Sequence, residues 1–418
     1  MTQTTDPVFD QVPLAPGDPI LDLKLAFNRD ANPDKADLSV GIYQDEAGRA
    51  SLFPAVVRAE ALLAEERRSN PLGAEYLPLA GHGPFVEEAK KLLFGPESAV
   101  LREKRVAAIQ TIGGTGALRI AGEFMKRQMP GSAIALSDPT WPLHRSIFER
   151  VGLEIRTYPY LSPATGALAF DEMMTALDRL PARTVVLTQT SCHNPSGIDL
   201  SRAQWEDVIR LAERRGLVLF LDAAYQGFGD GLVEDVWIAR RLAETSLEFL
   251  AAQSFSKHFS LYNRRTGVIH AVTRSADAAE RVQSQLKSDI RSMTSTCPVD
   301  GAEIVVRILR DPVLRTAWEG DLAHVRNRLA GIRGALCDRL AEHTRGAWKH
   351  DFRGQKGMFS FTGLGKEQVI AMRQRFGVYL VENGRICIGA INRKNVDHVA
   401  RSIAAVYDAE GARAGESR

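Results

Sequence analysis

The chain has 418 residues, 44% hydrophobic and 25% charged, and carries 53 Lys and Arg against 51 Asp and Glu, a formal net charge of +2. This is ordinary globular composition with enough length for two domains or one large α/β unit; it excludes a broad basic face for nucleic acid, and no run of roughly 18 apolar residues offers a membrane span. Cysteines 192, 297, 337 and 387 show no CxxC spacing and suit free thiols in a reducing compartment better than a disulfide framework or a metal site.

Residues 1–17 are polar and proline-containing and read as an extended arm, with no basic segment leading into an apolar one as in a secretory signal. The expected location is therefore the cytoplasm. From about residue 105 to 272 strands and helices alternate. "RVAAIQTI" reads as a strand, and "GGTGALRIAGEFMKRQM" as a glycine turn opening a helix. "SAIALSDPTW" is a strand entering a loop, followed by the helix "HRSIFERVG". Then come the strand "RTVVLTQT", the helix "SRAQWEDVIRLAERRG" and the strands "LVLFLDAAY" and "LEFLAAQSFSK". Short apolar strands separated by amphipathic helices predict a mostly parallel sheet covered on both faces. After residue 310 long charged helical patterns take over, then the strands "GMFSFTGL" and "GRICIGAIN". The expected division is a large domain over 51–314 and a smaller α/β domain made of 18–50 and 315–418.

Ligands of open parallel sheets bind beyond the carboxyl ends of the strands. That rule selects Gly113–Gly116, Asp138–Trp141, Asn194, Asp222 with Tyr225, and Ser254–Lys257. Together they supply an anion-binding turn, an aromatic plane, an amide, a carboxylate, a phenol and an amine, the parts that hold a flat, cationic, phosphorylated heterocycle. Each part also has a plain structural explanation. Gly113–Gly116 can be a simple strand-to-helix turn, Asp222 a helix cap, Trp141 a packed loop aromatic, Asn194 a turn former before proline, and Arg265 a surface charge. Their joint occurrence on consecutive strand ends favours a site. Ser254-x-x-Lys257 also matches the nucleophile motif of serine β-lactamases, with "RTG" at 265–267 imitating the distant K-T-G. Those two motifs belong far apart in sequence and with an SDN between them, so this reading is rejected.

The stretches "VGIYQDEAG", "EYLPLAGHGPF", "GGTGALR", "DPTWPLH", "CHNPSGIDL", "LDAAYQGFGDG", "SFSKHFSLYNRRTG", "GMFSFTGL" and "GRICIGAIN" run in order over about residues 18–405. In this the chain resembles the aspartate/aromatic amino acid aminotransferases, pyridoxal 5'-phosphate enzymes of fold type I. The resemblance implies that Lys257 would hold the cofactor as a Schiff base and then move the substrate proton, and that Asp222 would pair with the pyridine nitrogen. A charge pair at ~4 Å and an effective dielectric of ~20 is worth about 4 kcal/mol, roughly 3 pKa units, enough to keep that ring protonated. Tyr225 and Asn194 would bond the ring oxygen, and Trp141 would stack on the ring. Gly114, Thr115, Ser254, Ser256 and Arg265 would hold the phosphate, with Tyr76 reaching it from the second subunit of a homodimer. Gly41, Trp141 and Asn194 would line the substrate space. Arg385 would grip the α-carboxylate, and Arg291 would reach across the dimer to a distal carboxylate.

The implied reaction is ping-pong transfer of an amino group between aspartate or an aromatic amino acid, with glutamate/2-oxoglutarate, and a 2-oxo acid. Alternatives are a specialised biosynthetic amino acid as substrate, a β-eliminating lyase, disfavoured by the two arginines, and a ligand-sensing regulator, for whose DNA-binding domain the short arm has no room. The chain departs from the pattern at several places. His258 stands for asparagine, Ser260 for glycine, Arg264 for an acidic residue, Gln189 for a supporting histidine and Gly113 for serine, while His144 matches the other supporting histidine. Ile42, Gln44, Glu75, Thr294 and Thr296 match neither the aspartate nor the aromatic pocket set.

Overall fold

A computed structural model of the chain describes residues 9–15, 17, 20–50, 52–70, 75–162 and 165–416. Most of the arm expected over 1–17 therefore lies outside the described residues. The strands are β1 (Ala36–Asp37), β2 (Val106–Ile112), β3 (Ala133–Asp138), β4 (Glu154–Pro159), β5 (Val185–Gln189), β6 (Val218–Ala223), β7 (Phe249–Ser254), β8 (Thr266–Val272), β9 (Phe359–Phe361), β10 (Val378–Tyr379) and β11 (Arg385–Cys387).

Seven of these form one sheet in the order β2-β8-β7-β6-β5-β3-β4. β8 is antiparallel to both neighbours, and every other pairing is parallel. Because strand side chains alternate, the sheet feeds two cores. Ile109, Leu187 and Phe220 pack with Leu118, Phe124 and Phe148 of the helices Gly113–Gln128 and Pro142–Val151. Ala108, Val186, Leu219 and Leu221 join the other core with Trp205 and Ile209 of the helix Arg202–Arg215. That helix starts on a Ser201–Gln204 capping box and stops at Gly216, φ +64°. The expected mostly parallel α/β sheet, sandwiched by helices, is present.

Two strands of this sheet escape the sequence reading. β4 is an edge strand whose Glu154 is exposed and whose Arg156 pairs with it, so its polarity imitates a loop. β8 interrupts its apolar run with His270, yet that ring is buried, bonded to Gln253 Oε1 at 3.0 Å and set edge-on to Phe94. A polar residue is tolerated in a central strand when its hydrogen bond is made there.

Two small sheets complete the fold. β9 and β11 pair antiparallel with Arg385 opposite Phe361, and β1 pairs parallel with β10. The helix Pro312–His343 links this region to the large sheet. Near its start Trp318 stacks on Phe259 at 4.4 Å and donates from Nε1 to the carbonyl of His258 at 2.6 Å. Further along, the buried Arg333 donates to the carbonyl of Gly357 at 2.6 Å and to Ser360 Oγ at 3.3 Å.

Candidate active site

The carboxyl ends of β2, β5, β6 and β7 surround a cavity of about 220 Å³. Gly41, Gly114, Thr115, Trp141, Asn194, Asp222, Tyr225, Ser254, Ser256, Lys257 and Arg265, all selected from sequence, line it. Leu118, Ala224 and Tyr262 line it too and were not selected; Tyr262 lay in plain view, five residues after Lys257.

Asp222 sits at the penultimate position of β6. Its Oδ2 is 3.1 Å from Nε2 of the buried His144, whose Nδ1 is 2.8 Å from Thr140 Oγ1. The hydroxyl can donate to Nδ1, which leaves an Nε2–H for the carboxylate. Trp141 meets His144 edge-on at 5.3 Å. Asp222 is thus oriented from behind, and no guanidinium or ammonium pairs with it among the described residues.

Lys257 lies three residues beyond the end of β7, with Nζ 5.0 Å from the centre of the Tyr225 ring. Burial lowers its amine to a pKa of about 8; Arg265 and Arg385 push the same way, and the charge of Asp222 opposes them. At pH 7 roughly a tenth of this amine would be unprotonated and nucleophilic, far more than of an ordinary lysine. Burial also raises the Tyr225 phenol well above its usual range, so it stays a neutral donor.

At one end of the cavity the helix Gly113–Gln128 begins at the tip of β2, and its first turn, whose N–H groups have no acceptor within the helix, contributes Gly114 and Thr115 to the lining. Arg265 donates to Ser256 Oγ at 3.3 Å and to the Tyr262 carbonyl at 2.9 Å, and no carboxylate pairs with it among the described residues. A Cβ on Gly114 would fall 2.9 Å from Ser254 Cβ, and one on Gly113 2.6 Å from Arg265 Nη2. Gly113 also holds φ +67°. The guanidinium thus occupies the room that a serine at 113 would need. A helix N-terminus, two serine hydroxyls and a guanidinium without a carboxylate partner among the described residues make a cradle suited to an anion such as a phosphate monoester.

Arg385, also selected from sequence, does not itself line the cavity; it is joined to it through Asn194. It is 3% exposed, donates to Asn194 Oδ1 at 3.4 Å and to the Ser39 carbonyl, and lies 4.4 Å from the Phe359 ring centre. Among the described residues its Nε is buried without an acceptor, and no carboxylate neutralises it. A buried, unpaired guanidinium is costly unless a ligand supplies the anion. Gly41 is needed here because a Cβ would stand 2.6 Å from Phe359 Cζ. The residues therefore fit a phosphorylated, cationic ring: the cradle would hold its phosphate, the Asp222 carboxylate would pair with a protonated ring nitrogen, the Lys257 amine would take its carbonyl carbon, and Arg385 would offer a cation to a substrate carboxylate.

Of the departures, Gly113 and Arg264 have local explanations, and Ser260 and His258 have none. Ser260 adopts φ +55°, the left-handed conformation that suits glycine, and Arg264 pairs with Glu60 at 2.7 Å. His258 is fully buried among Phe255, Phe259 and Trp318, and burial lowers it to about 3, so it is neutral; neither ring nitrogen has a partner among the described residues. Tyr76 and Arg291, assigned by the resemblance to a neighbouring subunit's site, do not line the cavity of their own chain. Tyr76 is 92% exposed, and Arg291 lies on the surface, donating to Ser295 Oγ at 2.6 Å.

The model of the family "Aminotransferase class I and II" matches residues 33–403. Over 402 residues, 96% of this chain and 99% of the relative, the protein is 42% identical to the aspartate aminotransferase of Pseudomonas aeruginosa. It is 41% identical, over 96% of its length and 100% of the relative's, to the aromatic-amino-acid aminotransferase of Escherichia coli. Among solved structures, the aromatic-amino-acid aminotransferase of Burkholderia pseudomallei, covalently bound to pyridoxal phosphate, superposes with TM-score 0.92 at 41% identity, covering 96% of this chain and 100% of that one. The chain belongs to the class I and II aminotransferases, and so to the pyridoxal-phosphate-dependent transaminases.

Proposed function

We propose that this enzyme moves an amino group between aspartate or an aromatic amino acid, with glutamate/2-oxoglutarate, and a 2-oxo acid, by a ping-pong course in a cytoplasmic homodimer. One observation carries the reading: the Lys257 amine lines a cavity together with the Arg265 guanidinium and with Asn194, to which the Arg385 guanidinium donates, and neither arginine has a carboxylate partner among the described residues. When bound, pyridoxal phosphate supplies an electron sink for the bonds at the substrate α-carbon. The chain's residues do the rest. Arg265 with Ser254, Ser256, Gly114 and Thr115 anchors the phosphate, and Asp222, steadied by His144, holds the proton on the ring nitrogen. Asn194 and Tyr225 orient the ring oxygen. Arg385 fixes the α-carboxylate, a forked contact that lysine does not reproduce. Lys257, freed at its nitrogen, takes the α-proton as the general base and returns it on the far side of the exchange.

The relatives' names support both aspartate and aromatic substrates, and no described helix is long and apolar enough to cross a membrane. All four cysteines are buried and free, which suits a reducing compartment. The division into 51–314 and 18–50 with 315–418 is supported by the pairing of β1 with β10 and by the bond from Arg385 to Ser39, which tie the two parts of the smaller unit together.

The homodimer reading gives Tyr76 and Arg291 their work, since both stand on the surface of their own subunit. The Arg291→Ala enzyme is expected to lose on the order of 100-fold in kcat/KM for aspartate, a charge-assisted contact of about 3 kcal/mol, and less than fivefold for phenylalanine. Steady-state kinetics with both substrates decide this; equal losses would make Arg291 a structural residue.

A further inference from the structure

We infer that Gln189 is the positioning residue for Asn194 and, through it, for Arg385. Gln189 ends β5, and its Cα stands opposite that of Asp222 in the β5–β6 register. It is buried and lines the cavity, at the position where the resemblance leads one to expect a histidine supporting Asp222. Its amide is spent elsewhere. Oε1 accepts the N–H of Asn194 at 2.8 Å, and Nε2 donates to the carbonyl of the same residue at 3.0 Å.

Neither backbone group of Asn194 has another partner among the described residues. The neighbouring bonds hold other atoms of the loop. Asp199 accepts the N–H groups of Cys192 and His193 at 2.8 and 2.9 Å, and the Gly197 N–H meets the His193 carbonyl at 2.7 Å. Pro195 has no N–H to offer. The loop is thus pinned on both flanks, while Asn194 itself is held by Gln189. A primary amide presents a donor and an acceptor side by side and closes both bonds on one residue. The two nitrogens of imidazole diverge, so a histidine can make only one of them. Asn194 in turn reaches Arg385 from Oδ1 at 3.4 Å, so the clamp extends to the guanidinium.

This inference rests on Arg385 being the carboxylate grip, and the test separates the two. The affinity of the holoenzyme for two unreactive carboxylates, succinate and 3-phenylpropanoate, is measured by calorimetry for the wild type, Arg385→Ala, Gln189→Met, Gln189→His, Asn194→Ala and the two doubles of Asn194→Ala with a Gln189 variant. Wild type should bind at least one probe, and Arg385→Ala should lose it. Failure there overturns the grip and the clamp together. With the grip established, Gln189→Met and Gln189→His should each weaken the probe about fivefold, and neither should weaken it further when Asn194 is already alanine, because the clamp has then lost the side chain it positions. Either variant serves if the other does not fold. Unchanged affinity in the Gln189 variants that keep Asn194, or equal weakening whether residue 194 is asparagine or alanine, would overturn the clamp and leave Gln189 a residue of the loop's framework.

Discussion

Lys257→Ala is expected to abolish transamination, with kcat falling by at least 10⁴-fold, while the protein still binds pyridoxal phosphate. The two results are compatible because the phosphate cradle of Gly114, Thr115, Ser254, Ser256 and Arg265 is built from groups other than the Lys257 amine. A positioned general base contributes about 10²–10⁴-fold by itself, and loss of the covalent anchor adds to that. The wild-type apoenzyme should capture the cofactor covalently at a rate that rises as pH increases through about 8 and then levels, because the amine is protonated below that value and free above it. The variant should show no covalent capture at any pH. Turnover near the wild-type rate would remove Lys257 from the mechanism.

Asp222→Asn is the second large effect. The substitution keeps the shape of the side chain and removes its charge, which at ~4 Å and an effective dielectric of ~20 is worth about 4 kcal/mol to a protonated ring nitrogen. We expect kcat/KM to fall on the order of 10³-fold with a change in melting temperature of only a few degrees. His144, whose Nε2 faces Asp222 Oδ2 at 3.1 Å, would then face a neutral amide, and His144→Ala should cost far less than loss of the charge itself. Stopped-flow measurement of a half-reaction with a single amino acid provides the check. A loss smaller than tenfold would mean that the charge of Asp222 is not what makes the bound ring an electron sink.

What the sequence discloses follows from how local the cause is. Asp222, Asn194, Ser254 and Lys257 are legible because parallel strands deliver their carboxyl ends to one crevice, and an apolar run followed by a polar residue marks such an end. Arg385 is legible through the family pattern, although its environment is not. That Phe359 lies against its guanidinium, and thereby forbids a side chain at Gly41, depends on β9 and β11 pairing with each other and packing on residues 38–43. β4 and β8 escape because an exposed charged edge and a single buried histidine break the patterns that announce strands. Gln189 reads as a departure from a supporting histidine. Its two bonds to a residue five positions on appear only once the loop between them has its shape.

The most direct test of the whole account is the visible absorption spectrum of the purified protein, recorded before and after addition of glutamate. The account predicts a yellow protein whose band bleaches as the amino group is taken up, with the colour restored by 2-oxoglutarate. A protein that stays colourless after incubation with pyridoxal phosphate would contradict it, because the amine of Lys257 and the cradle of Arg265 would then not be holding that cofactor.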